Sequence, residues 1–286
     1  MNISKEELRK IIKEEIEKVV VDNIINEGFS AYDAAAAPEV KQKLAEYGLD
    51  VDSYSDYSLK TWKHYCDRIG AKLFVMNEPI HDPDKMKVTW QRWYVHDLLE
   101  HNNIDYDKIF MVDLDTMIRW DAPNIFEDEW IGKNSDFAAC VDNDNLGWVK
   151  DSVEGYQHLF NDVSLDWERY FNCGVIFMTK KMAKISKTIT DFYFDNEEEI
   201  LKLQHETLKK GSDQTPVNYI VNREMSNVNL LSKRWNLTHL MRKEILNGFK
   251  FVDMGYVWHF NGFEKSLRAQ VMSEFMKQYG HKYETE

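Results

Sequence analysis

The chain has 286 residues, 43% of them hydrophobic and 13% aromatic, which is enough apolar material for one large globular domain and excludes disorder throughout. A formal net charge of −13 disfavours general attraction to nucleic acid or to an anionic membrane surface, so a polyphosphate ligand would need a bound cation or a few well-placed Lys and Arg side chains. Cys66, Cys140 and Cys173 are an odd number with no CxxC pair, which argues against a disulfide framework or a zinc knuckle. Reduced thiols, an opening without an apolar leader and no run of about 18 apolar residues lead to the expectation of a cytoplasmic protein with no membrane span.

The first element predicted is an amphipathic helix over residues 4 to 18. Ser4 can cap it, Glu7 follows three residues later, and Leu8, Ile11, Ile12 and Ile16 recur at helical spacing. Its Lys and Glu face suits solvent or a partner, and an oligomer formed through this helix is one expectation. Val19, Val20 and Val21 read either as an extension of the helix or as a first strand of β-branched residues. Residues 28 to 52 read as loop and short helix.

From Tyr54 the pattern alternates between helix and strand. Leu59, Trp62, Tyr65, Cys66 and Ile69 form a helical stripe that ends at Gly70, and residues 72 to 76 follow as a short strand. After a loop with Pro79 and Pro83, a second helix is predicted from about Met86 to His101. Residues 108 to 112 are a continuous apolar run of the kind buried on both faces. Further strands are expected at 137–141 and 174–178, with helices at 181–195 and 214–224. The simplest partition is an N-terminal helix over 1–18, one α/β domain over 19–266 and a C-terminal helical extension over 267–286.

The run at 108–112 stops at Asp113-Leu114-Asp115. Ligands of open α/β sheets bind at the carboxyl ends of strands, and alternation turns residues 113 and 115 to one side. Two carboxylates held together repel each other, and a hard divalent cation resolves the conflict while keeping positions for phosphate oxygens and water. An acidic pair at a strand end also occurs in solvated turns, so the pair alone is a weak signal.

Further segments strengthen it. Residues 105 to 120 resemble the DxD segment of glycosyltransferases related to family 8, which includes glycogenin and lipopolysaccharide galactosyltransferases. Lys87-Val88-Thr89-Trp90-Gln91-Arg92 looks like the family's preceding helix segment, whose basic residues reach the donor. Phe171-Asn172-Cys173-Gly174 is similar to its Asn-x-Gly strand, Asp213-Gln214 to the pair opening a later helix, and Arg234-Trp235-Asn236 to its Trp-Asn segment. His259, Gly262 and Lys265 match its His-x-x-Gly-x-x-Lys.

The resemblance implies a GT-A fold, a Rossmann-like mixed sheet flanked by helices, and transfer of a hexose from a nucleotide-diphosphate sugar, usually UDP-linked, with retention of configuration. It implies Asp113, Asp115 and His259 as ligands of Mn²⁺ or Mg²⁺, the imidazole favouring Mn²⁺. Asp113 would also contact the donor, as would Arg92, Lys87, Gly262 and Lys265. Asp213, Gln214 and Asn172 would meet the transferred sugar. The acceptor, carbohydrate or protein, is not legible, although Trp148, Tyr156 and Trp167 could offer aromatic faces to it. Two alternatives stand beside this reading: a catalytically silent sugar- or nucleotide-binding scaffold of the same fold, and a nucleotidyltransferase, for which no Gly-rich basic phosphate loop is visible.

Overall fold

Alternation of apolar side chains along three neighbouring strands builds the centre of the molecule. The computed structural model describes residues 54–226 and 228–284. The helix expected over 4 to 18 and the reading of Val19 to Val21 lie outside the described residues. Strands β1 (Lys108–Val112), β3 (Phe137–Val141), β4 (Phe171–Thr179) and β5 (Asn229–Leu231) form a sheet in the order β1-β4-β3-β5. β4 runs antiparallel to both its neighbours, and β3 pairs with β5 in parallel, so the sheet is mixed. A second, two-stranded sheet joins β2 (Thr116–Ile118) to β6 (Val257–His259) in antiparallel register.

Both faces of the larger sheet are covered. Met111 of β1, Phe137 and Ala139 of β3, and Phe171, Ile176 and Met178 of β4 point into one apolar cluster. Their strand neighbours Phe110, Ala138, Val175 and Phe177 point into another, with Trp62 and Trp235. This period of two, read on both sides, is what a central sheet flanked by helices requires. Helix α1 (Ser55–Ile69) covers the second face, and Gly70 ends it in the left-handed conformation, as the stripe predicted. Helix α2 (Val95–His101) and α3 (Leu146–Tyr156) are followed by α4 (Ala183–Asp195), α5 (Glu197–Lys202) and α6 (Gln214–Glu224). Helix α7 (Lys265–Tyr279) packs Met272 and Phe275 against Trp258 and Phe260 in a third cluster around the small sheet.

Three expectations need correction. Residues 72–76 form no strand: β-propensity alone does not supply a partner ladder, and the segment is half-buried irregular backbone. The helix predicted from Met86 to His101 is interrupted, with one α-turn over Val88–Gln91 and a 3₁₀ turn over Arg92–Tyr94 before α2. The tighter turn nearly eclipses residues three apart, which sends both Trp90 and Trp93 into the core, each at most 1% exposed. Finally, β1 is half-buried, because it is an edge of its sheet among the described strands.

Candidate functional site

The pairing of β1 with β4 continues one residue beyond β1, where the Asp113 N–H donates to the Gly174 carbonyl at 2.7 Å. The chain then turns, with the Thr116 N–H and hydroxyl both donating to the Asp113 carbonyl and the Trp62 indole holding the Thr116 hydroxyl. In the register of the small sheet, Thr116 faces His259. This puts His259, 144 positions after Asp115 in the chain, beside the two aspartates.

One ligand atom from each of Asp113, Asp115 and His259 lies within 4.8 Å of the others. The orientation of each side chain is enforced. Arg92 Nη1 holds Asp113 Oδ1 at 2.6 Å, and Arg268 Nη2 holds Asp115 Oδ2 at 3.3 Å. The remaining oxygens face His259 Nε2, Asp115 Oδ1 at 3.2 Å and Asp113 Oδ2 at 3.9 Å. His259 is 3% exposed, against 15% for Asp115 and 31% for Asp113, so the imidazole forms the base of the site and the carboxylates its open side.

Electrostatics follow from that arrangement. Burial raises the Asp113 carboxyl above its ordinary range, with Arg92 opposing. Burial acts in the same sense on Asp115, but His259 and Arg268 outweigh it and hold Asp115 low. Burial would lower His259, yet the attraction of Asp115 and Asp113 wins and raises it. Arg92 stays charged despite burial, because Asp113 and Asp213 both pair with it. Asp115 is thereby held toward its ionised form, with the Arg268 guanidinium on its outer oxygen and its inner oxygen left for a divalent ion.

Gly174 makes the convergence possible. A Cβ at this position would collide with His259 Cε1 and stand 2.8 Å from Asp113 Oδ2 and 3.0 Å from Asn172 Oδ1. Next to it, Asn172 and Gln214 share a polar network with Asp142. The Gly174 N–H donates to Asn172 Oδ1, and the Cys173 N–H donates to Gln214 Oε1. The amide nitrogens of Asn172 and Gln214 both donate to Asp142 Oδ2, at 3.2 and 2.9 Å. Asn218, wholly buried, clamps α6 to β4 by accepting from the Phe171 N–H and donating to the Phe171 carbonyl.

Asp213 does not cap α6 with its side chain. It is 2% exposed and accepts from the Trp93 indole at 3.0 Å, with Arg92 Nε 3.7 Å away. Lys87 donates to the Gly211 carbonyl at 3.3 Å, which ties the turn before Arg92 to the loop before α6. Gly262 takes a positive φ of 74° in the loop from β6 to α7, and Lys265 is the first residue of α7. The side chain of Lys265 is not among those described. Of the aromatic residues considered for an acceptor, Trp167 is 46% exposed and Trp148 half-buried, whereas Tyr156 is core and bonded to Gln204.

Sequence reasoning missed Asp142 and Arg268 and gave Asn236 no role. Asp142 directly follows strand β3 as Asp113 follows β1, and that position was the available signal. Arg268 lies one helical turn beyond Lys265 on the same helix, a spacing that could have drawn attention to it.

No protein-family model matches the chain, and no curated protein sequence does. Among solved structures, it is similar to a glycosyltransferase involved in the glycosylation of the major capsid of PBCV-1, with a TM-score of 0.52 and 13% sequence identity over 77% of this chain and 92% of that one. A second match, the glycosyltransferase GlyE of Streptococcus pneumoniae TIGR4, is 15% identical over 74% of this chain and 48% of that one, with a TM-score of 0.33, too low to speak for shared architecture. The first likeness shows the fold: this chain has the mixed α/β sheet flanked by helices of that glycosyltransferase structure.

Proposed function

We propose that the protein is a metal-dependent glycosyltransferase that moves a hexose from a nucleotide-diphosphate sugar, expected to be UDP-linked, to a carbohydrate or protein acceptor. The observation that carries this reading is the convergence of Asp113, Asp115 and His259, with ligand atoms within 4.8 Å of one another, at the carboxyl end of β1. The fold likeness to a glycosyltransferase supports it.

The donor set suits a divalent cation. Two carboxylate oxygens turned inward and one imidazole nitrogen match the preferences of Mn²⁺, and less closely Mg²⁺. Such a cation would neutralise the diphosphate as it departs from the sugar, the main electrostatic task of a transfer with an oxocarbenium-like transition state. Arg92 and Arg268 keep the outer oxygens of the two aspartates occupied, so that one oxygen of each is left beside His259 Nε2 for the cation. Lys265, at the start of α7, would add a point charge beside the leaving group. Asn172 and Gln214 would meet hydroxyls of the transferred sugar, while Asp213, buried behind Trp93, would act by holding Arg92. Lys87 would reach the bound donor, and Gly262 would let the loop before α7 turn closely around it.

The test is a mass-spectrometric screen of nucleotide sugars for consumption that requires Mn²⁺. Asp115→Ala should abolish metal-dependent donor binding; unchanged affinity would sink the proposed site. Metal-dependent binding without turnover would favour the silent scaffold. Retention is expected, and a proton NMR time course that shows the inverted anomer as first product would overturn it.

A further inference from the structure

We propose that Asn172 and Asn236 form a relay that sets the tautomer of His259, so that Nε2 is the nitrogen left free to bind the cation. The proposal rests on the metal reading above and concerns residues for which the sequence suggested either sugar contact or no role.

The polarity of the relay can be worked out from groups whose donor or acceptor character is unambiguous. A backbone N–H can only donate, so the Gly174 N–H, 2.9 Å from Asn172, identifies that atom as the amide oxygen. The other end of Asn172 faces Asp142 Oδ2 at 3.2 Å and Gln214 Oε1 at 3.2 Å. Gln214 Oε1 is likewise identified by a backbone donor, the Cys173 N–H. Asn172 is therefore held in one orientation by partners on both sides.

Asn236, 2% exposed, lies 2.9 Å from Asn172 Oδ1. Because that oxygen accepts, Asn236 must present its NH₂ there, which turns Asn236 Oδ1 toward His259 Nδ1 at 2.9 Å. An oxygen at that place accepts only from a protonated Nδ1. In the neutral ring Nε2 then carries the lone pair, and Nε2 is the atom facing Asp115 and Asp113. Were Asn236 turned over, its NH₂ would meet Nδ1 and favour a proton on Nε2, where the cation has to bind. Imidazole ligands generally owe their orientation and basicity to such a partner on the second nitrogen. The distinctive feature here is that the partner is an amide, which could face either way and is held by a second amide anchored to β4.

The test uses the full chain and Mn²⁺ alone, followed by calorimetry or by Mn²⁺ electron paramagnetic resonance, with Asp115→Asn as the reference for a lost site. Asn236→Leu should weaken Mn²⁺ binding about 10- to 100-fold. Asn236→Asp keeps an acceptor on Nδ1 but sets a second oxygen against Asn172 Oδ1, so it is combined with Asn172→Leu. Asn172→Leu, which leaves both partners of the Asn236–His259 bond in place, should weaken binding about tenfold by freeing Asn236 to turn. The double variant Asn172→Leu/Asn236→Asp should recover the loss, since a carboxylate has no donor end to present. A purely structural role for Asn172 would leave the double variant as weak as Asn172→Leu, and that result overturns the relay. Wild-type affinity in both Leu variants does the same. Should Asn172→Leu fail to fold, Asn172→Ala reads the same link. Absence of Mn²⁺ binding in the wild type would overturn the metal reading itself and the relay with it, a result distinct from both others.

Discussion

Replacing Gly174 with Ala adds a single methyl group at the point where three parts of the site meet. The methyl carbon would stand 2.8 Å from Asp113 Oδ2 and 3.0 Å from Asn172 Oδ1, and would overlap the ring edge of His259. Ordinary contact begins near 3.4 Å, so the Asp113 carboxylate alone must give way by roughly 0.6 Å. None of the three can move freely. Asp113 is ion-paired to Arg92, Asn172 is held by the Gly174 N–H, and His259 is bonded to Asn236 and locked in the β2–β6 ladder. Overpacking of this kind costs about 1–3 kcal/mol, and for a chain of this size a loss of about 2 kcal/mol lowers the melting temperature by roughly 3–4 °C. Displacement of two of the three ligands should weaken Mn²⁺ binding by more than the stability loss alone would imply. Thermal denaturation followed by circular dichroism gives the first quantity, and titration with Mn²⁺ of the folded variant gives the second. A Gly174→Ala protein with wild-type melting temperature and wild-type Mn²⁺ affinity would refute the claim that the glycine is there to admit His259 and Asp113.

Arg92→Leu leaves Asp113 and Asp213 facing each other without their shared cation. It should destabilise the metal-free protein by about 3–5 kcal/mol, part of which added Mn²⁺ restores in a melting experiment; a loss below about 1 kcal/mol would count against the pairing. Asn218→Leu strands the N–H and carbonyl of Phe171 in the core, so a loss of about 2–4 kcal/mol is expected in urea denaturation, and near-neutrality would show that water or a backbone shift rescues them. Burial pushes the pKa of His96 down to about 4, below the ordinary His value of 6.5. The unfolded chain therefore takes up a proton that the native ring refuses, so the contribution of His96 to stability is constant above pH 6.5, falls as pH drops from 6.5 to 4, and is flat below. The total loss is at most about 3 kcal/mol. Comparing stability against pH for the wild type and His96→Gln isolates this contribution, and parallel curves across that window would refute it.

Much of the fold was legible from the sequence because its elements carry strong local patterns. β1 and β3 coincide with the apolar runs at 108–112 and 137–141, α6 with the segment after Asp213, and the end of α1 with Gly70. The three-residue strands β2, β5 and β6 were not legible, since a stretch that short has no period to read. The interruption at Arg92–Tyr94 depends on two tryptophans seeking the same core, and residues 72–76 have no pairing neighbour among the described residues; neither is a local property.

The candidate site divides along the same line. Sequence alone identified two aspartates at the end of an apolar run, and resemblance extended them to His259, because residue type and order are all that such a comparison needs. Tertiary structure decided which oxygen of each carboxylate faces inward, through Arg92 and Arg268, and it set Asp213 beside Arg92 and the Trp93 indole. It also brought in Asp142 and gave Asn236 its contact with His259. Those facts depend on distances of about 3 Å between residues remote in the chain, and hydrogen-bond direction is set only when the groups meet.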